Sequence, residues 1–115
     1  MGKVLFGNLS RGDDEMQVLE VAVIHVKPGK INDFESSVRK ASRIISNAKG
    51  YVSHELQKCV EQDNQYILLV KWESIKHNLI GFRTSPEYEE WKSLLQPYFD
   101  TEPDVGHYIN INLKS

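Results

Sequence analysis

The chain has 115 residues, with 14 Lys and Arg against 16 Asp and Glu, a net charge of −2. Hydrophobic residues make up 40% and charged residues 26%, the balance of one folded domain rather than a disordered chain. That charge excludes an electrostatic draw to nucleic acid or an anionic membrane, and a single cysteine, Cys59, excludes a disulfide scaffold. No apolar stretch approaches the roughly 20 residues of a membrane span. The first residues lack the apolar core of about 7–15 residues that a secretory signal needs. Phe6 stands where a myristoylation pattern after Gly2 needs Ser or Thr. The expected compartment is the cytoplasm.

Residues 1–16 read as a loose leader rich in Gly, Asn, Ser and Asp, with a short strand at Lys3–Phe6. Residues 17–113 form the expected domain. The run QVLEVAVIHVK over 17–27 is rich in β-branched residues and is stopped by Pro28-Gly29, which predicts a first strand. Ile31, Phe34, Val38, Ala41 and Ile45 then recur at helical spacing, which predicts a helix over 30–48. Asn32 with Glu35 makes a capping-box pattern, and Lys49-Gly50 is a helix-end signal.

Tyr51–Glu61 and Gln65–Glu73 read as two strands joined by the short turn Gln62-Asp63-Asn64, a hairpin. Ser74 caps a short helix over 75–82. Ser85-Pro86 opens a second full helix, with a serine cap, a proline in the first helical position and acids in the first turn. Pro97 ends it. Residues 105–113 alternate as a fourth strand. The order β-α-β-β-α-β is the ferredoxin-like α+β pattern, an antiparallel sheet with both helices on one face.

That pattern leaves the other face of the sheet open, yet the first and third strands are apolar on both faces. Wetting four or five such side chains forgoes roughly 1.5–3 kcal/mol each. A second copy packed sheet to sheet covers them, giving a homodimer. The alternative is a monomer whose leader folds over the sheet.

At this point the residues resemble a family. Trp72-Glu73-Ser74, Gly81-Phe82-Arg83-Thr84-Ser85, Tyr88, Trp91, Leu95, Tyr98 and Pro103-Asp104-Val105-Gly106-His107-Tyr108, with Lys27-Pro28-Gly29-Lys30, Phe34 and Gly50 before them, look like the antibiotic biosynthesis monooxygenase (ABM) domain. The resemblance covers roughly Val18 to Ile111 and implies the dimeric α+β barrel. It implies a cofactor-independent monooxygenase that oxidises a quinol- or anthrone-like aromatic with O2. The alternative is a non-catalytic or stress-responsive barrel that binds an apolar small molecule. The family's haem-degrading branch is disfavoured. Its asparagine, tryptophan and iron-binding histidine fall near Ala22, Phe82 and Lys92 here. The segment between Trp72 and Ser85 carries one residue more than is usual in the family.

No flavin, nicotinamide or P-loop motif is present, so no cofactor is expected. The four histidines are dispersed, with no i, i+4 pair, and no metal site is assigned. A cofactor-free oxygenase needs aromatic walls, a proton acceptor and exclusion of water. Histidine suits the acceptor role because its unperturbed pKa of about 6.5 lies near neutrality. His107, facing the same way as Val105, Ile109 and Ile111, is the first candidate base, and His54 the second. His54 also reads as a satisfied core histidine, His77 as a solvated one, and Cys59 as an inert buried thiol. By the resemblance, the pocket lies between sheet and helices and is lined by Trp72, Phe82, Tyr88 and Trp91. The bland reading of these four is core.

Overall fold

The computed structural model describes residues 16–114. Its elements are β1 (Val18–His25), α1 (Ile31–Ile45), β2 (Tyr51–Lys58), β3 (Gln65–Trp72), a π-helical segment (His77–Phe82), α2 (Pro86–Leu95) and β4 (Asp104–Tyr108). The expected strand at Lys3–Phe6 lies outside the described residues. The four strands form one antiparallel sheet in the order β2-β3-β1-β4. This is the ferredoxin-like arrangement that the alternation of β and α periods predicts.

Burial follows the two-residue period of a strand. Val18, Glu20, Ala22, Ile24 and Val26 on one side, and Tyr66, Leu68, Val70 and Trp72 beside them, are buried under the helices. Phe34, Val38, Ala41 and Ile45 of α1 and Leu95 of α2 close the core from above. On the opposite face Leu19, Val21, Val23, Ile67 and Leu69 remain half-buried.

The ends of several elements depart from expectation. β4 stops at Tyr108, so the alternation at 109–113 does not continue the strand, and Ile109, Ile111 and Leu113 are exposed. Lys30, not Asn32, is the N-cap of α1, and no side chain caps it. Glu35 instead accepts a 2.6 Å hydrogen bond from the Tyr66 hydroxyl. The Ser85 cap is present, its Oγ accepting from the Tyr88 amide at 3.2 Å with Pro86 following. Cys59 is half-buried rather than enclosed, its thiol 3.4 Å from Glu61.

The short helix before Ser85 is π-helical. The Arg83 amide donates to the Asn78 carbonyl, five residues back, at 2.9 Å. Each such turn encloses one residue more than an α turn. π-turns are rare and recur at functional sites.

Candidate active site

Two polar ties fasten the π-helical segment to the sheet. Arg83, just past its end, donates to Glu20 Oε2 of β1 at 2.8 Å. The other oxygen of that carboxylate accepts from Trp72 Nε1 at 3.1 Å. A buried carboxylate is tolerable only when paired in this way. The second tie joins Asn78, 1% exposed, to His107 of β4, with His107 Nε2 and Asn78 Oδ1 2.8 Å apart. Glu20 and His107 are cross-strand partners, so the two ties stand side by side.

The tie to Asn78 sets the state of His107. An amide oxygen only accepts, so Nε2 carries the proton and Nδ1 the lone pair. That Nδ1 is buried with no hydrogen-bond partner. Burial pushes the His107 pKa below its ordinary value; Glu20 opposes this and Arg83 adds to it. His107 is therefore a half-buried imidazole whose neutral form burial favours, tied to the π-helical segment through Asn78.

His54 belongs to a separate chain of hydrogen bonds. Tyr51 Oη lies 2.5 Å from His54 Nδ1, His54 Nε2 lies 2.7 Å from Ser42 Oγ, and Ser42 donates to the Val38 carbonyl at 2.8 Å. Because the serine proton is committed to Val38, His54 Nε2 donates to Ser42 and Tyr51 donates to Nδ1. Every group is satisfied, and the chain fastens β2 to α1. Burial lowers the His54 pKa. His54 and His107 thus sit in different places, and the structure does not bring them together.

The four aromatics do meet. Phe82 is their hub, with ring centroids 5.6 Å from Trp72, 5.5 Å from Tyr88 and 5.9 Å from Trp91. Tyr88 and Trp91 stack at 5.9 Å with 23° between their planes. Trp72 is fully buried core, whereas Tyr88 and Trp91 are half-buried.

Phe82 also forms the wall of a groove of about 550 Å³ between the C-terminal end of α1, the π-helical segment and the start of α2. Ile44, Ala48 and Ile80 supply further apolar surface, and Lys49, Lys76, His77 and Glu87 the charged and titratable groups. The volume lies in the range of small-molecule sites. Of the four expected pocket residues only Phe82 reaches this groove, with the other three packed behind it. The histidine at the groove is His77, half-buried rather than solvated. Its Nδ1 lies 2.9 Å from Ser74 Oγ. Its ring rests on Gly50, a residue at φ +84° where an added Cβ would meet the imidazole at 2.2 Å. A hydroxyl both donates and accepts, so Ser74 suits either tautomer. Asn78 Oδ1 only accepts, which fixes Nε2 of His107 as the donor. Among the described residues no group of three or more His, Cys, Asp or Glu side chains is placed to hold a metal ion, and no helix is long and apolar enough to cross a membrane.

Comparison with known proteins places these features in a family. The uncharacterised protein YczJ of Bacillus subtilis (strain 168) is 44% identical over 94 residues, covering 82% of this chain and 99% of YczJ. The crystal structure of a candidate antibiotic biosynthesis monooxygenase from Bordetella bronchiseptica is 31% identical with a TM-score of 0.81, over 84% of this chain and 99% of that one. SnoaB, a cofactor-independent oxygenase from Streptomyces nogalater, shares the fold with a TM-score of 0.68 at 18% identity, over 87% of this chain and 96% of its own. The sequence model of the antibiotic biosynthesis monooxygenases matches residues 17–94, and the chain belongs to that family.

Proposed function

We propose that this protein is a cofactor-independent monooxygenase that oxidises a quinol- or anthrone-like aromatic in the groove beside Phe82. The observation that carries this reading is the groove itself, with its apolar wall and the His77 imidazole fixed at its edge by Ser74 and Gly50. A base must first reach the proton it takes. His77 meets that condition, so the role expected of His107 or His54 passes to His77 in this proposal. His107 acts through Asn78 to hold the π-helical segment in place. Trp72, Tyr88 and Trp91 hold Phe82.

In the proposed reaction His77 removes a proton from the activated carbon of the substrate. The resulting carbanion gives its electron pair to O2, and the peroxide takes back the proton from His77 to form a C–OOH group on a carbon that still carries one hydrogen. Loss of water from that group leaves a carbonyl. One oxygen atom enters the product, the other leaves as water, and the substrate supplies all the electrons. The protein needs to supply only the base, an aromatic wall and a dry site.

A second reading, a binding protein without turnover, draws on Ile80, which is 54% exposed on the groove wall. A wall that open admits water, which an oxygenase must exclude. The test is oxygen uptake by the purified protein with anthrone and 1,4-naphthalenediol. Uptake that depends on protein and drops about 100-fold or more in His77→Ala supports the oxygenase. Saturable binding with no uptake above autoxidation selects the binder.

The proposal includes a homodimer through the open sheet face, supported by the half-buried Leu19, Val21, Val23, Ile67 and Leu69 on a side that, among the described residues, no helix covers. It places the protein in the cytoplasm, the compartment that suits a lone half-buried thiol.

A further inference from the structure

The hydrogen bonds of Ser74 determine which form of His77 meets the groove. Ser74 is buried, and its Oγ has two partners, both on His77. The His77 backbone amide lies 3.4 Å away and can only donate. The ring Nδ1 lies 2.9 Å away. Among the described residues no other acceptor reaches this hydroxyl. A proton on Nδ1 would make Oγ accept from both nitrogens and leave its own hydrogen unbonded at a buried site, which is costly. The satisfied arrangement has the hydroxyl donating to Nδ1, so Nε2 carries the ring proton.

That proton is within reach of a ligand. Among the described residues, His107 Nδ1 is the one buried side-chain nitrogen or oxygen without a partner. His77 Nε2 has no partner there either, so it stands open rather than enclosed. The Cγ–Cδ2 edge of the ring rests on Gly50 and Nδ1 is taken by Ser74, which leaves Nε2 for the groove. Phe82, Ile44 and Ala48 supply apolar surface beside it. We infer that Ser74 is a positioning residue that presents His77 to the groove as a hydrogen-bond donor, and that the groove selects an aromatic ketone, whose oxygen only accepts. The inference rests on the groove being the ligand site of the proposed function, but it does not require that oxidation occurs there. Proton removal by Nε2 needs the other tautomer, with the Ser74 hydroxyl turned to accept, so the base form is the minor one before a ligand binds.

Two measurements on the full-length protein test the two halves. Long-range proton–nitrogen correlation spectra at alkaline pH are expected to show His77 with Nε2 protonated and Nδ1 bare, His77→Gln identifying the signals. In Ser74→Ala the ring is expected to relax to the tautomer mixture of a free histidine, with circular dichroism checking the fold. Calorimetric titration then compares two bicyclic probes of similar size: 1-indanone, which only accepts a hydrogen bond, and indole, which only donates one. The ketone is expected to bind about three- to tenfold more tightly, the worth of one net hydrogen bond. That preference is expected to shrink in Ser74→Ala and to vanish in His77→Phe. A protonated Nδ1 in the unaltered protein overturns the inference, as does indole binding as tightly as the ketone or a preference that survives His77→Phe; each leaves the groove as a ligand site. Failure of both probes to bind counts against the groove itself and overturns the proposed function together with the ligand selected here.

Discussion

The imidazole of His77 lies against the bare Cα of Gly50, at the point where the chain turns from α1 into β2. A Cβ at Gly50 would come within 2.2 Å of His77 Cγ, and the backbone there has φ +84°. Gly29 has a similar φ of +78° but nothing within 4 Å of a built Cβ. The two glycines therefore separate backbone strain from contact.

Gly29→Ala is expected to cost about 1 kcal/mol, the strain of a side chain in the left-handed region. Gly50→Ala adds the steric conflict and is expected to cost about 2–4 kcal/mol. Urea unfolding of both variants gives the comparison. Equal losses mean that the His77 ring moves aside freely and that Gly50 does not position it. If His77 is the base, Gly50→Ala also reduces oxygen uptake, whereas Gly29→Ala leaves it unchanged.

The Glu20–Arg83 pair ties β1 to the residue just past the π-helical segment. Arg83→Met leaves a buried carboxylate with Trp72 Nε1 as its remaining partner in this tie and is expected to cost about 3–5 kcal/mol. Glu20→Gln with Arg83→Met removes the stranded charge, and the double variant is expected to recover part of that loss. A double-mutant cycle checks this; additive losses mean the two residues are uncoupled.

Much of this was legible in the sequence. The alternation of strand and helix periods gives the element order, and Ser85-Pro86 marks the start of α2. What stayed hidden depends on contacts across long stretches of chain. His77 reads as solvated because nothing near it shows that Gly50, twenty-seven residues earlier, lies beneath its ring. Asn78 carries no local signal at all; its partner, His107, lies twenty-nine residues later in the chain. Glu20 did carry a signal. It is the one charge in the alternating set Val18, Glu20, Ala22, Ile24 and Val26, and a lone acid on an apolar face implies a buried partner. That partner, Arg83, stood within the resembling motif. The end of β4 misled because Ile109 and Ile111 keep the strand period after the pairing partner has run out: β1 reaches only Val18.

His54 and His107 make stability depend on pH. Both have pKa values below the ordinary 6.5 through burial. As pH falls past about 6.5, the unfolded chain takes up protons that the folded chain refuses, so folding weakens with acidification. Above that value both states hold neutral rings and these two residues contribute no slope. The midpoint for urea unfolding is expected to be flat from pH 8 to 7 and to fall from pH 6.5 to 5. His107→Gln, which keeps a polar group beside Asn78, is expected to reduce the slope. An unchanged slope in both His107→Gln and His54→Gln assigns the effect to other groups.

The open sheet face gives the test of assembly. Val21 and Leu69 are cross-strand partners at its centre. They are half-buried in the single chain, so a lysine at either position can reach water along its aliphatic stem. In a sheet-to-sheet dimer the same two lysines would be enclosed, and a two-fold axis would bring four such charges together. Val21→Lys with Leu69→Lys is therefore expected to leave the fold intact while abolishing association. Light scattering at micromolar concentration is expected to give twice the chain mass for the unaltered protein and the chain mass for the variant. A single-chain mass for the unaltered protein, with circular dichroism showing it folded, rules out the dimer and leaves the leader as the cover for this face.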